Sequence, residues 1–242
     1  MVILNTHYNI LSPHVTDIRK RVVAYEDTLQ RDFLPYEILP IPDNAPPDIP
    51  RITMETKGRH SMLQISLSGA SFQTAYDEQY NQSWDMCREY LEHRASQVYD
   101  IMSHVTNGHI STQGFIAQII INNLQSDPVA MLQKNIAIAG ENCTPWDIGG
   151  HVTVVKQDKY YINVRVENAR LASLQSSPVA QGTESGQTHC LLLTIEVNDR
   201  KLSNENNDYI SQKSAAHESM RILHDVIANQ VNAFVSKGVF ML

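Results

Sequence analysis

Apolar and polar positions alternate most clearly between Arg51 and His104. Ile52 and Met54 alternate with Thr53 and Glu55. After a Lys57-Gly58-Arg59 turn, Leu63, Ile65 and Leu67 alternate with Gln64, Ser66 and Ser68. A period of two is that of half-buried strands, so the stretch predicts a hairpin. The period then changes. Trp84, Cys87, Leu91, Ala95, Val98, Met102 and Val105 recur at steps of three and four, which predicts an amphipathic helix stopped at Asn107-Gly108. The layout recurs near the C-terminus, where HCLLLTIEVNDR leads through NENNDYISQ into AAHESMRILHDVIANQVNAF.

Other elements follow from the same patterns. Ser12-Pro13 reads as a cap for a helix from about Pro13 to Phe33, striped by Val15, Ile18, Val22, Leu29 and Phe33. Pro35, Pro40, Pro42, Pro46, Pro47 and Pro50 then exclude helix and central strand alike, leaving an extended connector. Phe115 to Ile121 is apolar on both faces, as a strand central in its sheet would be. Asp127-Pro128 opens a short helix ending near Ala139, and Asp147 to Gly150 reads as a turn or bulge. His151 to Val155 and Tyr160 to Leu171 form a second hairpin. In it Ile162, Val164 and Val166 face the core, leaving Tyr161, Asn163, Arg165 and Glu167 on the other face. Gln175 to Gln187 holds almost no large apolar side chain and predicts a mobile excursion. Cys190 to Val197 is again apolar throughout, and a last helix over about Tyr209–Val235 carries Ala216, Met220, Leu223, Ile227 and Phe234.

The order and lengths predict an α+β fold: a mostly antiparallel sheet, two long helices on one face, and an N-terminal helix. A duplicated strands-then-helix unit is one reading of the recurrence, and convergence of two ordinary strand–helix units is the other. The expected division is 1–50 (helix and connector), 51–140 and 141–242, all within one compact domain.

Composition narrows the function classes. A net charge of -7 argues against duplex nucleic acid, which needs clustered Lys and Arg. The dense basic run Arg19-Lys20-Arg21 reads as a solvated helix face. No spanning apolar run and no secretory pattern is visible, so no membrane association is expected. Cys87, Cys143 and Cys190 are an odd number without CxxC spacing, which suits reduced thiols and a cytoplasmic location.

Candidate chemistry is sparse. His217 and His224 share a helix face but lie about 10 Å apart at ~1.5 Å rise per residue, too far to bind one zinc together. No HxH, HExxH, GxSxG, GxGxxG or P-loop pattern occurs, so no catalytic residue, metal or cofactor is assigned. The candidate ligand-binding set is Tyr161, Asn163, Arg165 and Glu167 together with His217 and His224.

IPRITMET, HSMLQISLSGASF and YDEQYNQSWDMCREYL, with FIAQIIINN, LLLTIEV and ESMRILHDVIANQVNAF, resemble a sporadically distributed bacterial family of proteins of unknown function. The resemblance carries no catalytic motif. Its patchy distribution implies mobile-element or antiviral-defence genes. The leading expectation is therefore a non-catalytic binding or assembly protein, an accessory or antitoxin-like regulatory subunit with a protein partner or a homo-oligomeric state. A small-molecule binder or enzyme using a cleft between sheet and long helices is the alternative. A SecB-like chaperone is a third reading, because strands followed by a long helix are that family's gross layout.

Overall fold

The computed structural model describes residues 1–122, 124, 128–133, 149–171, 188–237, 240 and 242. The fold is α+β. Nine strands form one antiparallel sheet in the order β2-β3-β4-β5-β1-β6-β9-β8-β7. They are β1 (Val2–Leu11), β2 (Glu37–Ile38), β3 (Pro50–Glu55), β4 (Ser61–Ser66), β5 (Gly69–Ala75), β6 (Thr112–Ile121), β7 (Gly149–Lys156), β8 (Tyr160–Leu171) and β9 (Thr188–Asn198). The helices are α1 (Ile18–Val23), α2 (Glu26–Leu29), α3 (Trp84–Val105), α4 (Pro128–Gln133), α5 (Arg200–Glu205) and α6 (Lys213–Asp225). α6 continues through a π-helical turn at Val226–Gln230 into α7 (Val231–Lys237).

Read outward from the centre, the strand order is symmetric. β1 is flanked by β5, β4 and β3, and β6 by β9, β8 and β7. Each half thus comprises a central strand, an excursion, a three-strand meander and a long helix. α3 packs on β1 and β5, α6 packs on β6 and β9, and the two helices touch.

Three strands escape the sequence pattern: β1, β5 and the two-residue β2, which lies within the proline connector. β1 has no place in the sequence reading because its period is interrupted: the register shifts between Ile3 and Asn5, after which Thr6, Tyr8 and Ile10 are buried in alternation. β5 reads as a link because its inward residues are Ala70, Phe72 and Thr74, two of them small or polar.

The helix expected over Pro13–Phe33 is also different. Its apolar stripe is buried as the spacing implies, but the backbone is helical only at Ile18–Val23 and Glu26–Leu29. Residues 12–15 instead run beside the β4–β5 turn, with Ser12 N–H donating to the Ser68 carbonyl and Val15 N–H to that of Leu67. Gly149 and Gly150 open β7 rather than forming a turn, and the last helix starts at Lys213 rather than Tyr209. The expected excursion at 175–187, the far half of the helix after Pro128, and Cys143 lie outside the described residues.

Side chains from α1 and β3 hold the proline connector down. Arg51 is fully buried and donates to the carbonyls of Ile49 (2.6 Å), Ala45 (3.0 Å), Pro42 and Pro46 (both 3.3 Å). Proline brings a carbonyl without an N–H, so such a segment is rich in acceptors that need an outside donor. A guanidinium with five donors meets that need. Arg19 adds bonds to the Ile41 carbonyl and to the Asp43 carboxylate, both 2.6 Å. Arg21 donates to the Val105 carbonyl at the end of α3 (2.9 Å). Arg19 and Arg21 are therefore structural ties rather than a solvated helix face.

A second buried polar node joins β6 and β9 to the entrance of α6. The fully buried Asp199 accepts from Thr112 Oγ1 and Gln113 N–H (both 2.7 Å), from Tyr209 (2.9 Å) and from Ser211 Oγ. Gln113 in turn donates to Ser211 Oγ (2.7 Å) and accepts from the Tyr8 hydroxyl.

Arg51→Met removes the connector's donor and leaves several carbonyls without partners. We expect a loss of about 3 kcal/mol in urea unfolding, together with faster proteolytic cleavage within residues 39–49. Unchanged stability and cleavage would show that the connector holds without this guanidinium.

Candidate functional site

The two sides of the sheet carry different residues. On one, Tyr8, Leu63, Phe72, Phe115, Ile162 and Val197 are buried. The other is partly exposed and amide-rich, because strand register brings like positions together. One row crosses the strands as Gln64, Ser71, Asn9, Gly114, Asn198 and Tyr161. The next runs as Met62, Gln73, His7, Ile116, Glu196 and Asn163, and a third includes Asn5, Gln118, Thr194 and Arg165.

Much of this face is bonded across strands. Thr153 donates to Asn163 (2.7 Å), Asn163 to Glu196 (3.0 Å), and Asn198 to the other oxygen of Glu196 (2.8 Å). Asn5 donates to Gln118 (2.8 Å). The row through Asn9 differs. The side chains of Gln64, Ser71 and Asn9 bond to no described residue.

These three side chains line an open trough of ≈ 410 Å³. Glycine makes its floor. A Cβ on Gly114 would lie 2.5 Å from Asn198 Cβ and 2.7 Å from the Val197 carbonyl oxygen. One on Gly69 would lie 2.1 Å from the Ile10 carbonyl oxygen. Both positions therefore require glycine, and the missing side chain at 114 leaves the gap between Asn9 and Asn198. Asp48 from the connector and Arg200 from α5 also border the trough, both exposed and neither ion-paired among the described residues.

The six residues singled out from sequence divide between two sides of the sheet. Tyr161, Asn163, Arg165 and Glu167 lie on the exposed face, where Tyr161 is the cross-strand neighbour of Asn198 and Arg165 pairs with Glu167 at 2.7 Å. His217 and His224 lie on α6, which packs on β6 and β9 with Ala216 and Met220 beside the buried Phe115. His217 is exposed. His224 Nδ1 accepts the Trp84 indole N–H (3.0 Å), joining the first turn of α3 to the last turn of α6. The structure does not bring the histidines to the strand residues.

Sequence reasoning missed Asn9, Ser71, Gln64, Gly114, Glu196 and Asn198. A usable signal was present in β1, where Asn5, His7 and Asn9 alternate with Thr6, Tyr8 and Ile10. Among the described residues no group of three or more His, Cys, Asp or Glu is placed to hold a metal. Cys87 is no nucleophile at neutral pH, because burial pushes its thiol up to about 12.

Burial also holds the His7 imidazole below its ordinary range, and its cross-strand neighbours Ile116 and Gln73 carry no charge. The unfolded chain therefore takes up the proton first as pH falls. The stability linked to this group is complete above about pH 6.5 and is lost as pH falls through the lower folded value. His7→Gln should flatten the dependence of the urea midpoint on pH in that window. An unchanged slope would assign it to other groups.

Compared with known proteins, the chain matches no protein-family model and no curated sequence.

Proposed function

We propose that this chain is a non-catalytic binding protein that holds an extended stretch of another polypeptide on the exposed face of its sheet. In this reading the body is a duplicated strands-then-helix unit with both long helices on the opposite face. The observation that carries it is the unbonded row of Gln64, Ser71 and Asn9 along a glycine-floored trough. Each carboxamide offers donor and acceptor together, the pair a peptide group requires. Met62, Leu11 and Ile116 stand among these amides and supply apolar contact for side chains.

A meander followed by a long helix, the gross layout of the SecB-like chaperones, occurs here twice. That likeness is one of layout alone. The resemblance of IPRITMET and YDEQYNQSWDMCREYL to a patchily distributed bacterial family supports a cytoplasmic role with a dedicated partner, as an antitoxin-like accessory subunit of a defence or mobile-element system. A second reading, a small polar ligand, is favoured by the trough's size, since ≈ 410 Å³ falls within the ~300–1,000 Å³ of small-molecule sites.

The test is suppression of aggregation of a reduced, unfolded model client at equimolar amounts without nucleotide. Ser71→Trp, which fills the trough at a partly exposed position, should weaken client binding about tenfold, or ~1.4 kcal/mol, with thermal stability retained. Absence of suppression by the native chain rejects the polypeptide reading. A metabolite that raises the melting temperature of the native chain but not of Ser71→Trp would establish the second.

A further inference from the structure

The two edges of the sheet are not alike. At one, β2 contributes two residues, and the connector tied to Arg19 and Arg51 follows it. At the other, β7 offers eight residues that pair with β8 alone among the described residues. β7 carries no proline, and Lys156 at its end is the one Lys, Arg, Asp or Glu in it. Val152 and Val155 are 44% and 48% exposed, on opposite sides of the strand. An edge of this length and composition templates further pairing unless something blunts it.

We propose that β7 is the interface on which a second copy of this chain docks, β7 against β7 and antiparallel. This inference stands apart from the polypeptide-holding reading, because it uses neither the trough nor its face.

Self-complementarity selects the occupant. With a two-fold axis at Thr153, Val152 faces the partner's Val154, His151 faces the partner's Val155, and Gly150 faces the partner's Lys156. Val152 and Val154 lie on the side of Val164 and Ile162, their neighbours on β8. Two copies therefore set four valines in one row, continuing the buried side of the sheet across the join. Thr153 meets the same residue of the other copy, a favourable cross-strand pair. No charge meets a like charge, and Lys156 keeps its contact with Asp225 (3.7 Å). An unrelated strand would have to bring its own matching valines, whereas a second copy supplies them by symmetry. Because β2 at the other edge is two residues long, it offers too short a strand to extend the pairing beyond two copies.

The experiment is sedimentation and light scattering of the full chain across concentrations, paired with cross-linking. The native chain should be a dimer. Val152→Glu should raise the dissociation constant by about tenfold or more while leaving the circular dichroism spectrum unchanged. Thr153→Cys in a Cys143→Ser background should form an intermolecular disulfide on mild oxidation, and Val155→Cys, off the axis, should not. A native chain that stays monomeric up to its solubility limit overturns the proposal. So does a dimer that survives Val152→Glu and gives no Thr153→Cys cross-link. If Val152→Glu fails to fold, the cross-linking pair alone decides.

Discussion

The antiparallel pairing of β1 with β6 is the interaction on which the rest of this structure depends. It runs from Val2–Ile120 to Leu11–Thr112 and joins two halves that are otherwise linked mainly through their helices. Each side of the pairing makes a further bond across it. On the buried side Tyr8 stacks on Phe115 with centroids 4.6 Å apart, and the Tyr8 hydroxyl reaches Gln113. On the exposed side Asn5 bonds to Gln118. Deleting either aromatic ring would cost about 3–5 kcal/mol within the core that both halves share.

Two buried charges complete the frame, and they do not neutralise each other. Arg51 is met by neutral carbonyls at the β3 end, and Asp199 by neutral donors where β9 meets α5 and α6. In each case a charge is spread over several dipoles belonging to an irregular segment. That arrangement suits a chain whose excursions carry many prolines or turns. A small number of long-range polar anchors replaces the regular ladder that those segments cannot form. The trough depends on both anchors, since Asp48 belongs to the connector and Arg200 follows Asp199.

Legibility from sequence tracked the regularity of burial. α3 was readable from Trp84 to Val105 because one continuous apolar stripe meets one surface, and β6 because both its faces are largely covered. β1 was lost to a single irregularity at Leu4, and β5 to small inward residues that need no bulk beside Phe33 and Phe72. The Pro13–Phe33 stripe was correct about burial and wrong about backbone. Residues at helical spacing can also be buried by a wandering chain that packs on α3, as Asp32 does through Arg94 (3.1 Å) and Gln97 (2.7 Å). The trough was illegible for a different reason. Asn9, Ser71 and Gln64 are distant in sequence and meet only through strand register, and their chemistry is too ordinary to mark them singly.

The central position of β1 has a consequence for how the protein is made. Its second partner, β6, follows it by roughly a hundred residues, so at 5–20 residues per second the ribosome takes about five to twenty seconds to deliver it. In that interval the first meander can fold onto β1, while the flank of β1 that carries Asn5, Tyr8 and Ile10 beside β6 has nothing to pair with. The nascent half-sheet is then an open-edged species exposing the Tyr8 ring, with the same hazard as any unfinished β-structure. A slow rate of synthesis would prolong that exposure.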